Sequence, residues 1–443
     1  MTMNPAICIV GDILIDVTLK NKHDDTKMRF GGIVHCARAL WALGVPYSVA
    51  YFAPSFLDDQ ISDYLNHHGC SNITKLGTTI GSPNVILIQE AKEIGDQGYE
   101  YLLRDAVKII YHEDNIKQLA CESYSDYLII SGNYDLTSIA NRLPSRKHID
   151  VANNINNLIE LEFFVNNVET LFISTSSPIF KNAFTGNFLE FAHKFSKIAN
   201  ELILKENRGG ARIYNFSNNV LNNIAAQPRG IVHSVGVGDV FDAVYIANST
   251  FEINEKGCLS SWIAAEYAAT TFPDDFKIAV TRILRSNIHE LINMPGVSLP
   301  WEKRKSINIY IAAPDFSYVN TEAIDTLDVI LRYHNFTPRR PIKENGQMEE
   351  NANKARKQEL VSKDIQMLDE CSLLVGVLLY NDPGTLIEIG YAKAKGIPTI
   401  VYDPNHSASN CMLTELPDLV SADLDEIIVE IFIQSGKILK NDE

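Results

Sequence analysis

Short apolar segments alternate with longer segments in which apolar residues recur at helical spacing, and this alternation runs along most of the chain. A short apolar run between turn residues is typical of a buried strand, and the longer period is typical of a helix. Together they favour an α/β architecture. The strands predicted before residue 300 are Ala6–Val10, Tyr127–Ile130, Leu171–Ile173, Leu202–Leu204 and Ala211–Tyr214. The helices predicted there are Ile33–Leu43, Val237–Ala247 and Trp262–Thr271.

The pattern breaks near residue 300, where Met294-Pro295-Gly296 and Leu299-Pro300 interrupt any helix. A charged stretch follows from Glu302 to Lys305, and a new apolar strand begins at Ile307. Helix breakers followed by charged residues are typical of a domain boundary. The predicted organisation is a first domain at 1–298, a linker at 299–306 and a second domain at 307–443.

The second domain shows the same alternation in a shorter space, which predicts a compact, doubly wound (Rossmann-like) unit with a parallel sheet. Its predicted strands are Ile307–Ala312, Leu373–Leu379 and Thr399–Tyr402. Its predicted helices are Ile324–Tyr333, Ala352–Leu368, Thr385–Ala394 and Asp423–Gln434.

Length, charge and cysteine usage narrow the functional classes. A chain of 443 residues exceeds one ordinary hydrophobic core, so two or three domains are expected. The formal net charge of -16 disfavours nucleic acid as a partner. Seven scattered cysteines without a CxxC spacing argue against a disulfide framework and a structural zinc site. With no signal-peptide pattern and no long apolar window, the sequence predicts a cytoplasmic protein without a membrane partner.

The most informative segment of the second domain runs from Asn381 to Ala392. A buried strand leads into a turn with Pro383 and Gly384, and a helix follows. Ligands bind beyond the carboxyl ends of strands in open α/β sheets, so Asp382 and Glu388 are candidate site residues. A carboxylate there can attack an anomeric carbon. The alternative is that Glu388 is a solvated helix residue and Asp382 a turn former.

The pattern Tyr310-Ile-Ala-Ala-Pro314, then Asp364, then Asp382-Pro-Gly-Thr-x-x-Glu388-x-Gly-Tyr-Ala resembles the nucleoside 2-deoxyribosyltransferase family from about Ser306 to Val420. This resemblance implies that Glu388 attacks C1′ of the sugar, forming a covalent glycosyl-enzyme, and that a second base or water resolves it. It also implies that Asp382 contacts sugar hydroxyls, that Asp364 faces the base and that Tyr310 orients the nucleophile. No cofactor is implied.

Asn410-x-Met412 resembles a motif that reaches a neighbouring subunit's site, which implies at least a homodimer. The chain departs from the family at Asp315, where a small or aromatic residue is usual, and in a shorter separation between Asp364 and Asp382. These departures leave the acceptor open. Related families hydrolyse nucleoside 5′-monophosphates, and the cations available to meet a phosphate are Arg339, Arg340 and Lys343.

In the first domain, the loop Gly236-Val237-Gly238-Asp239 precedes a predicted helix. Glycines let backbone N–H groups approach an anion, and the helix N-terminus adds positive potential. An aspartate beside them can take a proton from a hydroxyl that attacks a phosphoryl group. The alternative is an ordinary glycine turn capping a helix without a ligand.

This loop, together with Gly31-Gly32, Asp16 and Gly210-Ala211, resembles the ribokinase (PfkB-type) family of sugar and nucleoside kinases over roughly residues 5–290. The resemblance implies a ribokinase-like α/β domain. Asp239 would be the catalytic base, Gly236, Val237 and Gly238 the anion hole, and Asp16 and Gly32 the substrate contacts. ATP and Mg²⁺ would be its cofactors if it is active.

The departures from the kinase pattern bear on activity rather than on fold. They are His35 for an asparagine, His233-Ser234 for Asp-Thr, Val237 for an alanine, a missing acidic residue at Ser174 to Ile179, and a missing glycine near Asn207. His35 and His233 are either new catalytic groups or structural histidines.

Three functional hypotheses stay open at this point. The first is a bifunctional enzyme that breaks or transfers an N-glycosidic bond and phosphorylates a sugar or nucleoside. The second is a regulated N-glycosidase whose first domain is inactive and senses a nucleotide. The third is a non-catalytic nucleotide-binding protein. All three predict small nucleosides or nucleotides as ligands.

Overall fold

The fold is described from a computed structural model, which covers residues 7–20, 25–80, 85–89, 92, 94–95, 99–101, 108–144, 146–151, 154–164, 168–349 and 351–442. The chain forms two compact units. The first comprises Met1–Lys92 and Gln97–Ser298, and the second comprises Leu299–Glu443 with Glu93–Asp96. Ala6, the first residue of the first predicted strand, lies outside the described residues.

The first unit is built on one large sheet, with 13 strands among the described residues. In chain order they are β1 Ile7–Thr18, β2 Lys27–Gly32, β3 Tyr47–Ala53, β4 Ile73–Ile80, β5 Val85–Ile88, β6 Tyr99–Tyr101, β7 Lys108–Tyr111, β8 Asp126–Ile130, β9 Arg146–Asp150, β10 Val168–Ser174, β11 Ala199–Lys205, β12 Ala211–Asn215 and β13 Val220–Ile224. The main path is β13-β12-β11-β10-β9-β8-β1-β3-β4-β7. From β11 to β4 all neighbours are parallel, and the outer pairs are antiparallel.

Strand β1 serves two parts of this sheet. Its first half, Ile7–Asp12, pairs with β3, and its second half, Ile13–Thr18, pairs with β2. Strand β5 also pairs with the second half, and β6 pairs with β5. The strand predicted to end at Val10 therefore continues past Gly11 into a smaller sheet.

Helices cover the sheet of the first unit. They are α1 Val34–Leu43, α2 Asp58–His67, α3 Glu113–Cys121, α4 Leu136–Arg142, α5 Pro178–Ala183, α6 Phe188–His193, α7 Val237–Ala247, α8 Ile253–Ala268, α9 Pro273–Arg285 and α10 Ile288–Asn293. Helix α1 ends at Gly44, whose φ of 71° is in the left-handed region that favours glycine. Helix α8 begins nine residues before the predicted Trp262 because Glu252 and Glu255 form a capping box there.

The second unit contains a five-stranded parallel sheet. Its strands are β14 Asn308–Ala312, β15 Thr337–Arg339, β16 Leu373–Val377, β17 Thr399–Tyr402 and β18 Leu419–Ser421. Its helices are α11 Trp301–Arg304, α12 Glu322–Tyr333, α13 Pro341–Asn345, α14 Lys354–Asp369, α15 Pro383–Ala394, α16 Cys411–Glu415 and α17 Leu424–Asp442. The spatial order is β15-β14-β16-β17-β18, so the strand order reverses between β14 and β16.

The fold-class prediction is confirmed, since a large, mostly parallel sheet is followed by a smaller doubly wound one. Residues 299–306, which the sequence suggests as a linker, belong to the second unit. Arg304 of α11 is fully buried and donates to the carbonyl of Leu299 at 3.1 Å. All seven cysteines are free. Among the described residues, no helix combines the length and apolar character that crossing a membrane requires.

Candidate functional site

Tyr310, Asp382 and Glu388 of the second unit lie where its strand order reverses. Tyr310 lies on β14, and the Asp382 to Glu388 segment follows β16 into the first turns of α15. Strands β14 and β16 are parallel neighbours, so their carboxyl ends open a crevice between the loops that follow them. Glu388, the candidate nucleophile, therefore lies beside the position where such sheets bind ligands.

Tyr310 and Glu388 form the central contact of this site. The Tyr310 hydroxyl donates to Glu388 Oε1 at 2.7 Å, and the tyrosine is fully buried. Burial raises the pKa of Glu388 to about 7, with Asp364 and Asp382 adding to the rise and the Tyr310 hydrogen bond opposing it. The hydrogen bond fixes one oxygen of the Glu388 carboxylate, and the orienting role of Tyr310 stays a prediction. Of the two apolar neighbours of Glu388, Ile389 is buried, but Ile387 is 69% exposed and does not shield it.

Asp382 caps the N-terminus of α15. Its Oδ2 accepts from both the backbone N–H and the hydroxyl of Thr385, each at 2.8 Å. A capping aspartate fixes the start of the helix and therefore the position of Glu388. Both bonds use the same oxygen, so the cap does not engage Oδ1.

Asp364 lies on α14 and accepts from Asn345 Nδ2 at 2.8 Å. Asp364 also contributes to the raised pKa of Glu388, so the two carboxylates are close enough to interact. Asn345 was not singled out in the sequence. It ends the short helix α13, and an asparagine at a helix end is a common structural residue, so nothing local distinguished it.

The three basic residues considered as phosphate contacts, Arg339, Arg340 and Lys343, each lie near a carboxylate in the structure. Arg340 forms a fork to Asp315, with Nε and Nη2 each at 2.8 Å, and reaches Asp325 Oδ1 at 2.7 Å. Arg339 donates to Glu344, and Lys343 lies 3.9 Å from Asp315. Asp315, the departure from the family pattern, is thus the buried partner of Arg340.

Asn410 and Met412 lie at the start of α16, away from the buried core. Asn410 caps that helix by accepting from the Met412 N–H at 2.9 Å. The Met412 side chain is 65% exposed, and Leu416, the residue after the end of this helix, is also exposed.

In the first unit, Gly236 precedes α7 with a φ of 76°. A Cβ at this position would lie 2.1 Å from Cγ of His35, so only glycine fits. The Val237 N–H donates to the Ser234 carbonyl at 3.3 Å, so one of the three predicted anion-hole amides is used within the turn. A Cβ at Gly238 would lie 3.1 Å from Nζ of Lys205.

Asp239, the predicted catalytic base, lies in a cluster with Asp150 and Asp242. Burial raises its pKa to about 7, and Asp150 adds to this while Lys205 opposes it. Lys205 ends β11 and Asp150 ends β9, so both lie at the carboxyl edge of the sheet. Asp150, Lys205 and Asp242 were not predicted from the sequence, although Asp150 and Lys205 are charged residues that end buried strands and Asp242 lies one helical turn after Asp239.

Asp16, a predicted substrate contact, is almost fully buried. His35 Nε2 lies 3.1 Å from Asp16 Oδ2, and His35 Nδ1 lies 2.6 Å from the Tyr267 hydroxyl. Burial lowers the pKa of His35 to about 4, so the imidazole is neutral near pH 7 and donates to Asp16. Gly32, with a φ of 59°, would place a Cβ 2.3 Å from the Asp12 carbonyl oxygen, so its role is a close backbone approach.

His233 is also held in a structural contact. Its Nε2 lies 2.9 Å from the Thr270 carbonyl, and Arg29 Nη2 lies 3.0 Å from its Nδ1. Burial lowers its pKa to about 3. These contacts favour the structural reading of His35 and His233. Asn207 has a φ of 54°, so it supplies the left-handed conformation for which a glycine was expected there.

Comparison with known families identifies part of the chain. Residues 309–424 match the sequence model of the family described as Nucleoside 2-deoxyribosyltransferase, and this segment contains Tyr310, Asp364, Asp382, Glu388, Asn410 and Met412. No curated protein matches the chain.

Solved structures resemble the chain over the share that the first unit occupies. Arabidopsis thaliana ribokinase, complexed with ribose and ATP, has 12% identity and a TM-score of 0.45, covering 64% of this chain and 100% of that one. Burkholderia thailandensis nucleoside kinase, in complex with inosine, has 13% identity and a TM-score of 0.48, covering 66% and 100%. Escherichia coli phosphofructokinase-2 has 14% identity and a TM-score of 0.47, covering 64% and 100%.

Proposed function

We propose that the second unit cleaves or transfers the N-glycosidic bond of a (deoxy)nucleoside or its 5′-monophosphate through a covalent intermediate on Glu388. The observation that carries this proposal is the 2.7 Å contact between Tyr310 and Glu388 at the strand-order reversal, inside the segment that matches the family. A carboxylate there meets a bound ligand at the carboxyl ends of the strands.

In the proposed reaction, a carboxylate oxygen of Glu388 attacks C1′ of the sugar. The C1′–N bond breaks, its electron pair stays on the base nitrogen, and that nitrogen takes up a proton from solvent, relayed by Asp364. A second base or water then attacks C1′, the Glu388 ester bond breaks, and the carboxylate is regenerated. Asp382 holds sugar hydroxyls, and Tyr310 orients the nucleophile.

The direct test is release of free base. The purified chain is incubated with a panel of nucleosides and 5′-monophosphates, without ATP, with and without a second base. Release that requires the second base identifies a transferase, and release without it identifies a hydrolase. No release from any member of the panel, even after ATP is added, would remove the proposal and favour a binding role.

The proposed nucleophile predicts a pH dependence. Glu388 attacks as a carboxylate, and a pKa raised to about 7 leaves it protonated and inactive at lower pH, so kcat/KM rises from pH 6 to pH 8. In Tyr310→Phe the hydroxyl no longer stabilises the Glu388 carboxylate. The midpoint of the kcat/KM profile is therefore expected to move upward by about one pH unit, because a hydrogen bond to a charged group contributes about 1.5 kcal/mol or more. The measurement is the pH profile of base release for both proteins.

A midpoint unchanged in Tyr310→Phe, with activity reduced equally at every pH, would show that Tyr310 only fills space. Tyr391→Phe is the matched control, because its hydroxyl contacts Asp369 on the protein surface. Its profile should match that of the unmodified chain.

Asn345→Ala is expected to lower kcat by about tenfold, because Asp364 loses the partner that aims it and general acid catalysis contributes about 10²–10⁴-fold. The loss should be much smaller for 7-methylguanosine, whose cationic base leaves without protonation. The measurement is kcat for guanosine and 7-methylguanosine, with Gln366→Ala on the same helix as the control. Equal losses on the two substrates would contradict a role for Asn345 in proton donation.

For the first unit, the structure favours the second hypothesis over the first. Asp16 is buried against His35 rather than open to a sugar, and Asp239 lies beside Lys205 and two further aspartates. We propose that this unit is catalytically inactive and regulates the second unit by sensing a nucleotide. ATP-dependent phosphorylation of any nucleoside or sugar on the panel, lost in Asp239→Asn, would instead establish the bifunctional enzyme.

A homo-oligomer, at least a dimer, is part of the same proposal. It rests on the Asn410-x-Met412 motif and on the exposure of Met412, Leu416 and Ile387 in the second unit. Light scattering on the chain and on Met412→Asp tests it, since the substitution should shift the mass toward that of the monomer.

A further inference from the structure

Lys205 is enclosed by carboxylates at the carboxyl edge of the large sheet. Its Nζ lies 2.7 Å from Asp150 Oδ2 and 2.8 Å from Asp242 Oδ2. Asp150 is 1% exposed and Asp242 is 0% exposed. The ammonium group of Lys205 is therefore hydrogen-bonded to two buried carboxylates at once.

The same carboxylates have the composition of a divalent-cation site. Asp150, Asp239 and Asp242 each offer an oxygen, and these oxygens lie within 4.8 Å of one another. Mg²⁺ prefers carboxylate oxygens and keeps several waters around it. Among the described residues, no hydrogen-bond donor reaches Asp150 Oδ1 or Asp242 Oδ1.

The Mg²⁺ that a kinase resemblance implies does not fit this cluster as it stands. The ammonium group of Lys205 already lies between two of the three carboxylates, and like charges repel a second cation at that distance. It also lies close to the backbone at Gly238, which reduces the room for coordinated water. The buried ammonium group supplies these carboxylates with the positive charge and hydrogen bonds that a hydrated metal ion would otherwise supply.

We infer that Lys205 is the resident cation of the first unit and takes the place of a divalent metal ion among Asp150, Asp239 and Asp242. This inference does not depend on the glycosidic chemistry proposed for the second unit. It has two consequences. The unmodified chain binds no divalent cation at this cluster, and removal of the ammonium creates a metal site from residues that are already in position.

The test is a Mn²⁺ titration of the full-length chain, with free Mn²⁺ followed by electron paramagnetic resonance. Lys205→Met is expected to gain one Mn²⁺ site that binds at least tenfold more tightly than any site of the unmodified chain. The gain should be lost in Lys205→Met/Asp242→Asn. The matched control is Lys256→Met, another half-buried lysine of this unit, whose partner is Glu201 at 3.7 Å and not the cluster. It should gain no site.

Removal of Lys205 leaves buried carboxylates without a counter-charge, so Lys205→Met is also expected to unfold at a lower temperature, with Mn²⁺ restoring part of the loss. If that variant does not fold without metal, refolding with and without Mn²⁺ and the milder Lys205→Gln replace the titration. Folded Lys205→Met or Lys205→Gln that binds no Mn²⁺ would overturn the inference. So would Mn²⁺ binding by the unmodified chain that disappears in Asp242→Asn.

Discussion

Replacing Glu388 by glutamine is expected to reduce base release by at least about a thousand-fold, since loss of a covalent nucleophile costs this much or more in other enzymes. Glutamine keeps the length of the side chain and can still accept from the Tyr310 hydroxyl, which contacts Oε1 at 2.7 Å. It cannot displace a base from C1′. The substitution therefore removes the chemistry while it preserves the packing around Tyr310. The measurement is the initial rate of base release on the best substrate of the panel.

Glu370→Gln is the matched control, because Glu370 is exposed at the end of α14 and should retain full activity. Mass spectrometry of acid-quenched protein provides the second readout. A pentosyl adduct on the peptide that contains Glu388 is expected in the unmodified chain and absent in Glu388→Gln. Retention of more than a tenth of the activity in Glu388→Gln would show that another group attacks C1′.

Replacing Arg340 by methionine is expected to destabilise the second unit by about 3 kcal/mol. The Arg340 side chain is 11% exposed and that of Asp315 is 5% exposed, so the pair is largely shielded from water. Removal of one partner of a buried pair costs about 3–5 kcal/mol because it leaves an uncompensated charge. Lys343, 3.9 Å from Asp315, compensates in part, which places the effect at the lower end. Urea dependence of hydrogen exchange at β14 amides measures it within the full-length chain.

Arg332→Met is the control for this prediction. Arg332 pairs with Asp328 one helical turn away and is 60% exposed, so its loss should cost about 0.5 kcal/mol or less. Adding Asp315→Asn to Arg340→Met should recover part of the lost stability, because the unpaired charge is then gone. A cost for Arg340→Met no larger than that for Arg332→Met would show that Asp315 tolerates burial without its partner.

The sequence could place two residues of the candidate site in the second unit next to each other because they are local. Asp382 and Glu388 follow one strand and share one helix, so their spacing places them together. Tyr310 was added to them from the family resemblance, and in the structure its hydroxyl lies 2.7 Å from Glu388 Oε1. Asn345 was missed because its importance depends on Asp364, which is distant in sequence and has no periodic relation to it.

The first unit was harder to interpret because its polar residues come from separate strands. Asp150 ends β9, Lys205 ends β11 and Asp242 lies within α7, so only the packing of this helix on the sheet brings them together. His35 was recognised as a departure, but its contact with Asp16 depends on how β1 and α1 pack. The phosphate contact considered for Arg340 was hard to judge from the sequence for a similar reason, because its partner Asp315 belongs to another loop.

Strand β1 joins the large sheet to the smaller one without a turn between them. Asp12 and Ile13 therefore lie at the junction where the partners of β1 change from β3 and β8 to β2 and β5. Ile7 to Val10 have parallel neighbours on both sides, β3 and β8, whereas the second half of β1 lies between the antiparallel β2 and the parallel β5. Any change in the angle between these two sets of strands would therefore have to be accommodated within β1, close to Asp12 and Ile13.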